Sequence, residues 1–252
     1  MAQETIRISD GTGVSFQHRL RCVGNGDDSW HAVVTDNSSL RDTVQNGGTS
    51  AMIASFGNSN GGGGNYTIDR NYFSWDLSAV PADGTITAIS VIFTTPAAYL
   101  HNIVDSDFNV LRLVKATTDA TSPNGTTTAN AIDHTVNNEA DVNGVGTVNT
   151  DVTFNLGSSD LYDWFVAQHA AGNRAHTYLL TKLEYDSFVD SGAAEPTAGI
   201  ATNITGFVGN GGAYSAQPRV VVTFTPAPPP PIKQLKIPGG SVKISSGTLK
   251  IK

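Results

Sequence analysis

The stretch "RNYFSWDLSAVPADGTITAISVIF", residues 70–93, decides the fold class. Phe73, Trp75 and Leu77 fall on alternate positions, and Ile89, Val91 and Phe93 do so again further on. A period of two marks a strand that buries one face, so the stretch reads as two strands with a turn between them. Pro81 presets the backbone for that turn, Asp83-Gly84 continues it, and Trp75 is a candidate core residue. Asp76 sits where a carboxylate brackets a turn by accepting backbone N–H bonds, a structural rather than a catalytic role.

Working outward, FNVLRLVKA (108–116), DVTFNL (151–156), HTYLLTKL (176–183) and PRVVVTF (218–224) repeat the strand signal, with Val152, Phe154 and Leu156 again alternating. Towards the N-terminus, VSFQHRLRCV (14–23) places Val14, Phe16, His18, Leu20 and Cys22 on one face. WHAVVT (30–35) is expected to be its hairpin partner across GNGDDS. Residues 36–69 are dense in Gly and Asn and read as short strands around a mobile loop, GNSNGGGGN, at 57–65. Many short strands at turn-punctuated spacing predict an all-β, jelly-roll-like antiparallel sandwich spanning residues 1–224.

One helix is expected within it. SSDLYDWFVAQHAAGN offers Ser158 or Ser159 as an N-cap, Leu161, Trp164 and Phe165 as an apolar face, and Gly172-Asn173 as a stop. Its predicted place is one end of the sandwich.

TPAPPPP, residues 225–231, cannot donate ladder hydrogen bonds and favours an extended polyproline form, so it reads as a semi-rigid linker. Beyond it, residues 232–252 repeat every seven positions. Leu235, Val242 and Leu249 recur, as do Lys236, Lys243 and Lys250, and Ile237, Ile244 and Ile251. The reading is three-residue strands joined by Gly-containing turns. So small a ribbon buries little alone, which makes it a candidate docking or oligomerisation element.

Charge divides the chain at the same place. Residues 1–225 hold ten Lys and Arg against 22 Asp and Glu, a balance of −12, while five lysines and no acid give the tail +5. An acidic body repels phosphate backbones, so nucleic acid is not an expected ligand. The basic tail complements acidic surface, including that of another copy. The single cysteine, Cys22, permits no internal disulfide and reads as a buried thiol. MAQETIRISDG has no apolar run of signal-peptide length and no eighteen apolar residues occur together, so neither export by that route nor a membrane span is expected.

Three segments resemble the DNRLRE-domain family. They are residues 70–93, with an aromatic-Asp-Leu strand end and a Ser-x-Val-Pro turn, "TDVTFNLGSSDLYDWFVA", with a strand leading to a Trp-bearing helix, and "AQPRVVVTF", a closing strand with Pro218-Arg219 at its start. The resemblance covers roughly residues 41–224. It implies a sandwich displayed on a cell wall or a virus particle, with no catalytic motif to carry over. An unsecreted version with an assembly-type tail looks like a bacteriophage virion structural protein.

The usual signatures of enzymes are missing: there is no Gly-x-Ser-x-Gly, P-loop, His-Glu-x-x-His or Cys-x-x-Cys pattern. The six histidines (18, 31, 101, 134, 169, 176) show no local zinc spacing. Asp105/Asp107 and Glu184/Asp186/Asp190 could offer oxygens to calcium, although solvated loop charge is the plainer reading. No cofactor, catalytic residue or metal ligand is therefore expected. Tyr66, Tyr99 and Tyr214 lie in loop-like text and are candidate glycan contacts, because loop aromatics can stack on sugar rings.

The expected function is a non-enzymatic protein of a virion surface, made in the host cytoplasm, of capsid-decoration or tail-fibre/adhesin type. Its body faces outward and its tail engages other virion proteins or copies of itself. The alternative is a carbohydrate-binding module for adsorption to host-surface polysaccharide.

Overall fold

The computed structural model describes residues 1–8, 16–23, 30–35, 43–46, 52–58, 66–94, 110–117, 132–141, 150–181, 185–186, 189–190, 192, 203–207, 216–229, 235–237 and 240–242. Two antiparallel sheets carry the body. The smaller runs β1 (Ala2–Arg7), β12 (Arg219–Thr225), β6 (Thr85–Thr94), β9 (Asp151–Asn155). The larger holds β11 (Asn203–Phe207), β4 (Met52–Asn58), β5 (Tyr66–Trp75), β10 (Ala175–Thr181), β7 (Val110–Ala116) and β8 (Ile132–Asp141), with β2 (Phe16–Val23) and β3 (Thr43–Asn46) added through β5. The chain crosses from one sheet to the other between β5 and β6 and back between β6 and β7, in the manner of a jelly roll. The all-β sandwich expected from the periodicity is the fold observed.

β5 is where the larger sheet branches. Thr67 to Ser74 pair with β2 on one side, while the other side is shared, Tyr66 to Asp69 by β4 and Asn71 to Trp75 by β10. Its neighbours enclose it at both edges, and apolar layers cover both of its faces, so that Asn71, Tyr72, Phe73, Ser74 and Trp75 are all fully buried. Its odd positions face the smaller sheet. Trp75 stacks on Phe73 at 5.3 Å, Phe73 meets Phe93 at 5.1 Å, and Phe93 meets Phe154 edge-on at 5.8 Å. This aromatic ladder crosses the sandwich and locks the two sheets together, each offset or edge-on pair adding about 0.5–1.5 kcal/mol beyond its buried area. Its even positions face outward into a second apolar layer of Tyr72, Val114, Ala116, Ile132, Tyr178 and Leu180, against which Tyr185 packs.

The turn after β5 is two turns in series. Val80 N–H donates to Leu77 O at 3.0 Å and Gly84 N–H to Pro81 O at 2.8 Å. Asp76 Oδ1 accepts from Ser78 N–H at 2.8 Å, the bracketing role expected of it. In β6 the pairing with β12 shifts between Thr223 and Phe224, so that Ala88 and Ile86 pair with neighbouring residues and Thr87 is the extra residue of a bulge. The bulge returns Ile86 to the core face alongside Ile89, Val91 and Phe93.

Two expectations are corrected. WHAVVT is not a strand: Trp30–Thr35 is a short helix, α1, where a strand was expected. Thr35 Oγ1 donates to the His31 carbonyl at 2.7 Å and Val34 is fully buried. The pairing positions of β2 that such a hairpin would use are taken by β3 and β5, and long-range pairing overrides the strand preference of the short apolar run. The Gly-rich segment starts later than expected, since Gly57 and Asn58 belong to β4; residues 59–65 lie outside the described residues.

The expected helix is α2 (Asp160–Ala170), capped by Ser159, whose Oγ accepts from Tyr162 N–H at 3.3 Å. Leu161 and Phe165 are buried in the main core, and the helix packs against β6 of one sheet and β8 and β10 of the other, closing one end of the sandwich. Tyr162 Oη ties it to β6 by donating to Ile86 O at 3.0 Å.

After β12, residues 226–229 have no regular structure and Pro226, Pro228 and Pro229 are exposed. The tail then forms its own two-stranded antiparallel sheet, β13 (Leu235–Ile237) with β14 (Gly240–Val242), Leu235 opposite Val242. The second strand, GSV, begins two residues before Val242 of the seven-residue repeat, and Lys243 and Ile244 lie outside the described residues. In the register of this sheet Ile237 faces Gly240 and Lys236 faces Ser241.

Candidate functional site

The end of the sandwich closed by α2 carries two adjoining clefts. The first, of about 420 Å³, is lined by Asp76, Leu77, Ser78, Val80, Pro81, Ala82, His169, Gly172, Asn173 and Arg174. The second, of about 340 Å³, is lined by Lys115, Ala116, Thr117, Trp164, Gln168, Asn173, Arg174 and His176. Both volumes fall within the range of small-molecule sites, roughly 300–1,000 Å³. Asn173 and Arg174 belong to both walls.

Local sequence builds this arrangement. Gly172 adopts φ +68°, a left-handed conformation that costs glycine little, and closes α2 with two bonds: Gly172 N–H to His169 O at 3.0 Å and Asn173 N–H to Gln168 O at 2.9 Å. That double closure redirects the chain into β10, leaving Asn173 and Arg174 as the ridge between the clefts. His169 Nε2–H donates to Val80 O at 3.1 Å and so fixes the helix end to the turn that forms the opposite wall. Trp164 and Gln168, four residues apart, share one helical face, and Trp164 is only partly buried, edge-on to Phe165 at 5.4 Å.

Charges in and beside the clefts are braced. Lys115 Nζ lies 3.2 Å from Asp133 Oδ2, across a pairing shift where Val114 faces Asn137 but Lys115 faces Asp133. Asp133 Oδ1 accepts from Thr135 Oγ1 at 2.6 Å and from Thr135 N–H at 3.1 Å. The Thr135 hydroxyl first, and the Lys115 ammonium after it, hold the Asp133 carboxyl below its ordinary value of 3.8, against the opposing effect of partial burial. Behind the second cleft, Tyr72 Oη and His176 Nδ1 are 2.7 Å apart in the buried outer layer of β5 and β10.

At the far end of β9, Arg219 is ion-paired to Asp151 and donates to Thr94 Oγ1 at 3.2 Å, while Thr94 donates to Asp151 Oδ1 at 2.6 Å. This cluster clamps β12, β6 and β9 together. The Pro218-Arg219 start of the closing strand is thus structural, with Pro218 O also accepting from Ile8 N–H at 3.1 Å.

Of the residues singled out in the sequence, Leu235, Lys236, Ile237 and Val242 lie in the β13/β14 ribbon; Lys243, Ile244, Leu249, Lys250 and Ile251 lie outside the described residues. Tyr66 does not stand on a loop. It opens β5 and pairs with Asn58, so the loop argument for a glycan contact fails there, because strand propensity and pairing extend β5 further back than the Gly-rich text suggested. Tyr99 and Tyr214 lie outside the described residues, as do Asp105, Asp107 and Glu184. Asp186 O accepts from Asp190 N–H, and the Asp190 carboxylate accepts from Gly192 N–H at 2.9 Å, so this carboxylate braces its own loop. Among the described residues no three His, Cys, Asp or Glu converge as metal ligands.

The clefts were not foreseen from the sequence. Trp164 read as core because of its spacing with Leu161 and Phe165; the available signal was its Gln partner four residues on and the polar Asn-Arg pair directly after the helix stop.

Fold and site together define a two-sheet antiparallel β-sandwich with a helix-closed end, and the C-terminal residues described form a two-stranded sheet of their own. No protein-family model matches the chain, and no curated protein matches it either. No helix among the described residues is long and apolar enough to cross a membrane.

Proposed function

We propose that the chain is a non-enzymatic structural protein of a bacteriophage virion surface, of capsid-decoration or tail-fibre/adhesin type, whose sandwich is displayed and whose C-terminal ribbon mediates assembly. The observation that carries this reading is that the ribbon forms a sheet of its own. Among the described residues β13 and β14 pair only with each other, beyond an exposed Pro-rich segment. A ribbon of three-residue strands is marginal in water by itself, and its lysines complement a body with a charge of −12. Partners on this reading are other virion proteins or copies of the same chain.

The test compares the full chain with a variant ending at residue 231. The shortened protein is expected to keep the melting temperature of the body but to lose incorporation into particles and any self-association. Undiminished incorporation overturns the proposal.

A second reading, a carbohydrate-binding module serving adsorption to host-surface polysaccharide, is favoured by one observation. The paired clefts combine a partly exposed Trp164 with the amides of Gln168 and Asn173, the groups that sugar rings and hydroxyls engage. Retention of the protein on bacterial polysaccharide at millimolar sugar tests it, and absence of retention removes it.

A further inference from the structure

We infer that the two clefts form one groove for an uncharged linear oligosaccharide, which crosses the Asn173–Arg174 ridge with its rings against Trp164. The inference rests on the carbohydrate-binding reading and is independent of the virion reading. Continuity comes first: Asn173 and Arg174 line both clefts, so a ligand held in one borders the other, and the shape suits a chain of several rings rather than one compact molecule.

Chemistry comes second. Trp164 is partly exposed and held edge-on by Phe165, a fixed apolar plate suited to the C–H face of a pyranose. Gln168 lies on the same helical face, and Asn173, placed by the bond from its backbone N–H to Gln168 O, is exposed and lines both clefts. Each amide offers two donors and one acceptor, a set that matches neighbouring hydroxyls, which donate and accept at once.

Charge comes third and selects a neutral ligand. The lining holds Lys115 and Arg174 against Asp76, and Asp133, which lies outside the lining, offsets Lys115 through their ion pair, so two cations meet two carboxylates and no surplus of one sign is left to attract a repeated carboxylate.

Isothermal titration of the full chain with cellohexaose, maltohexaose and N-acetylchitohexaose, with oligogalacturonate of the same length as the charged comparator, tests the inference. At least one neutral hexasaccharide is expected to bind with Kd below about 1 mM, and its disaccharide about tenfold more weakly because it reaches only one cleft. Gln168→Ala with Asn173→Ala is expected to lower the affinity about tenfold at an unchanged melting temperature, since neither change empties the core. No saturation by any neutral hexasaccharide at about 10 mM overturns the carbohydrate reading together with the groove. Binding that survives the double substitution overturns the groove while leaving a glycan module elsewhere on the body. Binding of oligogalacturonate alone overturns the assignment of an uncharged ligand.

Discussion

Trp75 Nε1–H donates to Thr177 Oγ1 at 3.0 Å between β5 and β10, with both residues fully buried. The largest side chain of the core thereby has its one polar atom satisfied by the strand beside it. Thr177→Val keeps the shape and deletes the acceptor, leaving a buried donor without a partner. A loss of about 1–3 kcal/mol is expected in urea unfolding, with an unchanged m-value.

Gly84 sits where the second turn enters β6. A Cβ there would stand 3.0 Å from Pro81 O and 3.1 Å from Phe224 Cδ2. The carbonyl is backbone and already accepts from Gly84 N–H, so it cannot step aside without opening the turn. Gly84→Ala is expected to destabilise by about 1–3 kcal/mol, read as a lowered melting temperature.

Ser159→Ala removes the side-chain acceptor at the N-terminus of α2. The expected cost is about 1 kcal/mol in denaturant unfolding. Ser159→Asp restores an acceptor and adds a charge favourable to the helix dipole, so it is expected to recover the loss.

Asp133 supplies a pH dependence. Its carboxyl titrates below 3.8 in the folded protein because of Thr135 and Lys115, so its contribution is fully present above that value and is lost as pH falls through the lower folded one. Asp133→Asn is therefore expected to be less stable than wild type at neutral pH, with the difference closing as the pH falls below 3.8. A difference that stayed constant on acidification would contradict this assignment.

Much of this architecture was readable in single segments. The alternation in residues 70–93 marked β5 and β6, and the Ser158-Ser159 pair and Gly172 marked the ends of α2. Each of these rests on a signal contained within one element: a period of two, a capping hydroxyl, a glycine able to take a left-handed backbone.

Tertiary structure decided the remainder. WHAVVT became α1 because the pairing sites of β2 were filled by strands distant in the chain, and Ile86 reached the core only through a bulge at Thr87 that pairing with β12 imposes. β5 turned from a half-buried strand into one buried on both faces because the main core covers one face and a second apolar layer covers the other. The groove draws on residues 76–82, 115–117 and 164–176, which no sequence window joins. Side-chain periodicity reports the geometry of one element, whereas pairing, enclosure and concavity belong to relations between elements. Their free energy comes from burying surfaces that only the folded chain brings together.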